Sequence, residues 1–168
     1  MLSFEHIYAT LPEPLWVATQ ATPVAHPELI AFNAPLAREL GANDVPEAAT
    51  LAQWFSGNQT MPGSQPGALG YAGHQFGNFV PQLGDGRALL LGEVIDQNGV
   101  RRDVQLKGSG RTPFSRGGDG RSPLGPVLLE YLVSEFMAAM GIPTTRALAA
   151  VTSGERVVRQ MAEPGAVF

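Results

Sequence analysis

Residues 103–137 read DVQLKGSGRTPFSRGGDGRSPLGPVLLEYLVSEFM. The run Val104-Gln105-Leu106-Lys107 ends on a charge and passes at once into Gly108-Ser109-Gly110, the pattern of a strand that stops at a turn. Glu130, 23 residues after Lys107, lies in a stretch with helical spacing. Ser122 and Pro123 predict the N-cap and first position of that helix. Gly141 predicts its C-terminal cap and Pro143 a bar to its return, so the helix should run to about Met140. Its expected apolar face is Val127, Leu128, Tyr131, Leu132, Phe136 and Met140, with Glu130 between Val127 and Tyr131 near that face. A strand-end lysine within reach of a helix glutamate can hold phosphate oxygens, the glutamate orienting the ammonium. An exposed lysine and a solvated glutamate fit the same spacing.

Working upstream, Gly86–Ile95 predicts a strand, Asn98-Gly99 a hairpin turn, and Val100–Lys107 the returning strand. Leu83-Gly84-Asp85-Gly86-Arg87 stands directly before the first of these. Its glycines would let backbone amides approach a phosphate, and Arg87 would add a charge-assisted bond. A plain Asp-Gly β-turn explains the same residues. Downstream, GSGRTPFSRGGDGR at residues 108–121 matches neither the Walker A loop nor the dinucleotide-binding fingerprint. It could wrap an anion or be a solvated loop. Thr145–Val151 and Arg156–Gln160 predict two short strands joined by a turn at Thr152-Ser153-Gly154-Glu155, and the final residues read as a turn and the start of an apolar strand. That ending predicts a fragment of a longer chain.

Residues 1–27 predict an extended arm packed on the body. A short helix is expected from about Ala34 with Gly41 as its cap, a second over residues 46–56 with Pro46 in its first turn, and a turn-rich connector from Gly57 to Gly70. The fold class that results is α+β, a small antiparallel sheet with one long helix against it.

The bulk composition narrows the function. The 168 residues suffice for one domain with a core, apolar residues make up 44% and charged residues only 15%. So few charges, against roughly 25% in a typical domain, predict a surface partly covered by more protein. Gly 20 and Pro 14 imply many ordered turns. The net charge of −4 provides no global field for nucleic acid or an anionic membrane. Between Arg101 and Arg121, however, six basic residues face two acids, which suggests a local anionic ligand. No cysteine is present, no secretory signal is evident and no apolar run approaches a membrane span, so a cytoplasmic protein is expected. His74 lies far in sequence from His6 and His26, which supports a hydrogen-bonded structural histidine rather than a metal cluster.

Three stretches carry a resemblance: YAGHQFGNFVPQLGDGRALLLGEV (71–94), DVQLKGSGRTPFSRGGDGRSPLGPVLLEYLVSEFM (103–137) and MGIPTTRALAAVTSGERVVRQ (140–160), with NAPLARELG (33–41) adding a looser match. Together they resemble the selenoprotein O (SelO/YdiU) family of kinase-like protein adenylyltransferases. The resemblance implies a protein-kinase-like small lobe over residues 70–168, an N-terminal, partly helical extension over residues 1–69, and a large lobe absent from these residues. It implies ATP bound in a flipped orientation and AMP moved to Ser, Thr or Tyr hydroxyls of target proteins. Gly84, Gly86 and Arg87 would contact the nucleotide from the glycine-rich loop, with Asp119 and Gly120 contacting it from the longer loop. Lys107 would bind phosphate, oriented by Glu130. The catalytic base and the Mg²⁺ ligands of the family would lie beyond Phe168, which leaves this segment without catalytic or metal residues and inactive alone. The competing readings are a non-catalytic nucleotide-binding module and ordinary phosphoryl transfer on the same fold. Neither nucleic acid nor membrane is an expected partner.

Overall fold

A computed structural model describes all residues from Met1 to Phe168. The chain is α+β. It has two four-stranded antiparallel sheets, a separate two-stranded hairpin and three α-helices. In chain order the elements are β1 (Trp16–Ala18), β2 (Glu28–Phe32), α1 (Ala34–Glu39), α2 (Ala48–Ser56), β3 (Gly67–Leu69), β4 (Gly73–Gln75), β5 (Asn78–Val80), β6 (Ala88–Ile95), β7 (Arg101–Lys107), β8 (Ser122–Pro123), α3 (Leu124–Ala139), β9 (Ala149–Val158) and β10 (Ala162–Val167).

One sheet has the order β1-β3-β6-β7 and the other β2-β9-β10-β8. They meet where Lys107 N–H donates to the Phe168 carbonyl (2.6 Å) and Phe168 N–H returns a bond to the Lys107 carbonyl (3.0 Å). The single small sheet expected from the sequence is therefore a pair of sheets joined at the last residue of β7. The main core fills the space they share with α1 and α2. Leu89, Val94, Leu106, Val151 and Val167 are all buried to 2% or less, among Leu36, Leu51 and Phe55.

The β6–β7 hairpin forms as expected, but Asn98-Gly99 is only part of its turn. The buried Asp96 closes it, with Oδ1 accepting from Asn98 N–H and Val100 N–H (both 2.9 Å) and Oδ2 accepting from Arg102 Nε (2.9 Å). Residues before 70 do more than pack as an arm. β1 pairs with β3, β2 pairs with β9, and Glu5 bridges to Glu93. The connector 57–70 contains β3. α1 begins at Ala34 as expected, and α2 starts two residues later than expected, with Glu47 as its N-cap.

Two expectations about where elements begin and end are corrected. The strands predicted at 145–151 and 156–160 are one strand, β9, and its hairpin partner is β10. Thr152–Glu155 is not a turn. Gly154 takes φ +68° within the strand, where a Cβ would stand 2.6 Å from His26 Cβ, so this glycine marks a close approach of the backbone. The second correction concerns the start of α3. Ser122 and Pro123 form β8 against β10, Pro123 occupies the N-cap position, and no side chain caps the helix.

The face that α3 buries also differs. Val127 and Ser134 are buried, Leu128 and Tyr131 are half-buried, but Leu132, Phe136 and Met140 are 63–68% exposed. Leu129 and Val133 are exposed as well. The helix is apolar almost all round, so periodicity does not select a side. Its orientation is set by Glu135. That carboxylate accepts from Arg146 Nε and Nη2 (both 2.8 Å), from Ala147 N–H (2.9 Å) and from Asn33 Nδ2 (2.8 Å), tying α3 to α1 and to the approach to β9.

Two predictions arise here. Leu132→Lys and Phe136→Lys remove no packed side chain and should shift unfolding free energy by less than about 0.5 kcal/mol. Leu106→Ala, in the core, should cost about 2–5 kcal/mol. Urea denaturation of the three variants distinguishes these values. The second prediction concerns acid. Hydrogen bonds from Arg146 hold the Glu135 carboxyl below its ordinary value of 4.5. A depressed native pKa means that its stabilisation is present above about pH 4.5 and disappears as pH falls through the native value. Glu135→Gln should lower the melting temperature at neutral pH and flatten the loss below about pH 4.5. Parallel melting curves for parent and variant across that range would refute this.

Candidate functional site

Lys107 is the last residue of β7, where the alternation of the strand turns its side chain away from the buried Leu106. Glu130 lies within α3 on the turn after Val127. The structure brings the two together, with Lys107 Nζ 2.5 Å from Glu130 Oε1. Their side chains remain 32% and 34% exposed. An ion pair this open contributes about 0–1 kcal/mol to stability, so folding alone gives little reason for it. The pair stands in the wall of a cavity of about 1060 Å³, together with Tyr71, Asp85, Ala88 and Phe168.

Asp85 enters that wall from the glycine-rich loop. It is 5% exposed. Its carboxylate accepts from Leu69 N–H (3.0 Å) and the Tyr71 hydroxyl (3.0 Å). Burial pushes the Asp85 carboxyl up, against the lowering effect of those two donors. Burial and the nearby Asp85 push the Tyr71 hydroxyl up to about 12. The acid thus staples the loop to the residues around β3.

Gly84 and Gly86 flank Asp85 and differ in their constraints. Gly84 has φ +60°, and a Cβ there would stand 2.5 Å from Phe114 Cγ. Gly86 has no such conformation, and the nearest atom to an added Cβ is the Phe114 carbonyl oxygen at 3.3 Å. The amides of this loop already donate internally, which differs from the expectation that they stand open to a phosphate. Gly84 N–H donates to the Tyr71 carbonyl, Asp85 N–H to the Leu69 carbonyl and Gly86 N–H to the Gly84 carbonyl. What the loop offers is the closeness that a missing Cβ permits, with the exposed Arg87 side chain beside it. The Arg87 carbonyl accepts from Gly108 N–H (2.8 Å), which sets Arg87 next to the end of β7.

Asp119 and Gly120 are not in the cavity wall. Asp119 forms a two-pronged pair with Arg159 (2.7 and 3.0 Å) and accepts from Arg121 N–H (2.9 Å). The Arg159 hydrogen bonds hold its carboxyl below the usual range. A Cβ on Gly120 would stand 1.9 Å from the Gly110 carbonyl oxygen, so the two ends of the long loop are in contact. Most of the basic segment is engaged internally: Arg101 with Glu5, Arg102 with Asp96, Arg116 with Gln75, and Arg121 with Thr22, Pro23 and Glu155. Arg87 and Arg111 have no protein partner. No group of three or more His, Cys, Asp or Glu side chains comes together to hold a metal ion. His74 is exposed, with its ring edge-on to Phe79 at 5.4 Å rather than hydrogen-bonded.

Several residues of this region were missed from sequence: Tyr71, Thr112, Phe114, Ser115 and Arg159. Phe114 alone carried a signal, as the one aromatic in a loop of glycine and arginine.

A strand-end lysine, a helix carboxylate and a glycine-rich loop thus stand together at one cavity. The model of the family described as protein adenylyltransferase SelO matches residues 1–168, and the chain belongs to that family. It is 64% identical over 167 residues to a protein nucleotidyltransferase YdiU of Rhizobium rhizogenes, covering 99% of this chain and 33% of the relative. A protein of the same name from Agrobacterium fabrum is 63% identical over 170 residues, covering 100% of this chain and 35% of the relative. A third, from a Bradyrhizobium species, is 62% identical over 166 residues, covering 98% of this chain and 34% of the relative. The chain therefore spans about a third of the length of the curated relatives it matches. No helix is long and apolar enough to cross a membrane.

The geometry separates the two glycines. Gly84→Ala should destabilise the protein by about 1–3 kcal/mol, through overpacking against Phe114 and the left-handed backbone. Gly86→Ala should stay within about 0.5 kcal/mol of the parent. Thermal melts of both variants test this, and equal losses would show that the contact with Phe114 is not what fixes Gly84.

Proposed function

We propose that the full-length protein is an adenylyltransferase that moves AMP from ATP to Ser, Thr or Tyr hydroxyls of other proteins, on a protein-kinase-like small lobe to which these residues contribute part of the ATP site. The observation that carries this reading is the Lys107–Glu130 pair, open to solvent at the wall of a large cavity and beside the glycine-rich loop. In the reaction the target oxygen attacks the α-phosphorus, the bond from that phosphorus to the bridging oxygen breaks, the hydroxyl proton is lost and pyrophosphate leaves with the bond's electrons. Charge builds on the departing pyrophosphate. Fixed cations aimed at it lower the barrier, because they need no reorganisation as the charge develops.

Lys107 is the residue for that role, held in place by Glu130, and Arg87 supplies a second cation without a competing protein partner. Gly84 and Gly86 allow close approach of the loop to the nucleotide, while Asp119 and Gly120 contact it from the long loop. Asp119 must exchange its pair with Arg159 to do so. The nucleotide would be accompanied by Mg²⁺, which supplies further neutralisation of phosphate charge. The carboxylates in these residues do not gather into a set that would hold the ion, so none is assigned to it.

The test is transfer by the full-length protein from ATP labelled at the α- or the γ-phosphorus. Label from the α position should appear on protein, and Lys107→Ala should reduce it about 100-fold or more without a large change in melting temperature. Transfer of γ label would replace the reading with phosphoryl transfer. ATP binding with neither label transferred would replace it with a non-catalytic nucleotide-binding module. Full activity in Lys107→Ala would remove the lysine from its role.

A further inference from the structure

The long loop between β7 and β8 is closed and organised. Ser109 bridges to Arg121, and Gly110 N–H donates to the Gly120 carbonyl. Inside it, Thr112 N–H donates to Ser115 Oγ, Phe114 N–H to Thr112 Oγ1 and Ser115 N–H to the Thr112 carbonyl. With both hydroxyls accepting within the loop, their protons are directed outward. Thr112 Oγ1 donates to the Asp85 carbonyl (2.5 Å) and Ser115 Oγ donates to the Gly86 carbonyl (2.6 Å). Phe114, only 5% exposed, fills the space left by the missing side chain of Gly84.

We propose that Thr112, Phe114 and Ser115 are positioning residues that clamp the glycine-rich loop in its nucleotide-binding shape. This rests on the reading of that loop as part of an ATP site. The physical argument is one of direction. A backbone carbonyl turned toward a phosphate repels it. Two successive carbonyls, of Asp85 and Gly86, are instead turned to hydroxyl donors on the long loop. The clamp also makes one body of the loop that carries Gly84 and Gly86 and the loop that carries Asp119 and Gly120. Loosening it should weaken nucleotide binding from both sides at once, although none of the three side chains needs to touch the nucleotide.

The experiment compares the full-length parent with Thr112→Val, Thr112→Ser, Ser115→Ala and Phe114→Ala. It reads ATP dissociation constants by calorimetry, amide exchange over residues 84–87 by mass spectrometry, and melting temperature. Thr112→Val keeps the shape and loses the hydroxyl. It and Ser115→Ala should each weaken ATP binding about tenfold and speed exchange at 84–87, while Thr112→Ser stays within about twofold of the parent. Phe114→Ala should do the same with a lower melting temperature. If it fails to fold, the two hydroxyl variants decide the matter. Unchanged affinity and exchange in both hydroxyl variants would overturn the clamp. So would a lower melting temperature with unchanged affinity. If the folded parent does not bind ATP, the nucleotide reading fails instead. Exchange at 84–87 then judges the clamp alone, faster exchange supporting it and unchanged exchange overturning it.

Discussion

Two backbone hydrogen bonds between Lys107 and Phe168 join the sheets, and the meeting of Lys107 with Glu130 across the cavity wall depends on that junction. Lys107 belongs to β7, the last strand of the first sheet. Glu130 belongs to α3, which packs on β8, β9 and β10 of the second sheet. The lysine and glutamate can meet only if β7 and β10 lie side by side. Both partners in that junction are fixed by burial near it, Leu106 on one strand and Val167 on the other, each 1% exposed. Apolar packing therefore sets the register, the register sets the junction, and the junction sets an ion pair too exposed to contribute much stability itself. A pair in this position is a consequence of the core rather than a support for it.

The disposition of the other cations follows the same economy. A basic segment in an acidic protein invites the inference of a single anion-binding patch, yet the structure spreads most of those charges over local tasks. Arg102 secures the Asp96 turn, Arg101 holds Glu5, and Arg121 ties the long loop to residues 22–23. Counting charges along a chain cannot separate these uses, because each pairing depends on a residue brought near by folding. Glu5 and Arg101, or Asp119 and Arg159, are far apart in sequence and adjacent in space. Within that segment only Arg111 is left without a protein partner; Arg87, also without one, lies next to the end of β7.

What could be read in advance divides along the same line. The β6–β7 hairpin, the two short helices and the long helix were legible because each rests on local signals: alternation in Val104–Lys107, a proline at a helix start, a glycine at a helix end. The division of the strands into two sheets was not legible, since it depends on pairings between distant segments such as β2 with β9. The turn read at Thr152–Glu155 illustrates the difficulty. A glycine among small polar residues ordinarily marks a turn, but Gly154 is needed for the approach of His26, and the strand continues through it. The face of α3 was misread for the opposite reason. Apolar residues surround that helix, so its pattern contains no information about which side packs, and the polar anchor Glu135 decides instead. In the site, the glycine-rich loop was visible, but the residues that hold it came from a stretch whose composition resembles a solvated loop.

The N-terminal residues supply a strand to each sheet. At one edge of each sheet stands a strand from the first 32 residues, β1 in the order β1-β3-β6-β7 and β2 in the order β2-β9-β10-β8. Each edge strand is short, three residues in β1 and five in β2. Short strands present few unpaired backbone groups for another chain to extend. Within the first sheet β6 keeps both neighbours, whereas β7 pairs along its length with β6 alone and is joined on its other side only through Lys107 and Phe168. An N-terminal segment that looks like an appendage in sequence is in this way built into both sheets, through β1 against β3, β2 against β9 and the bridge from Glu5 to Glu93 on β6.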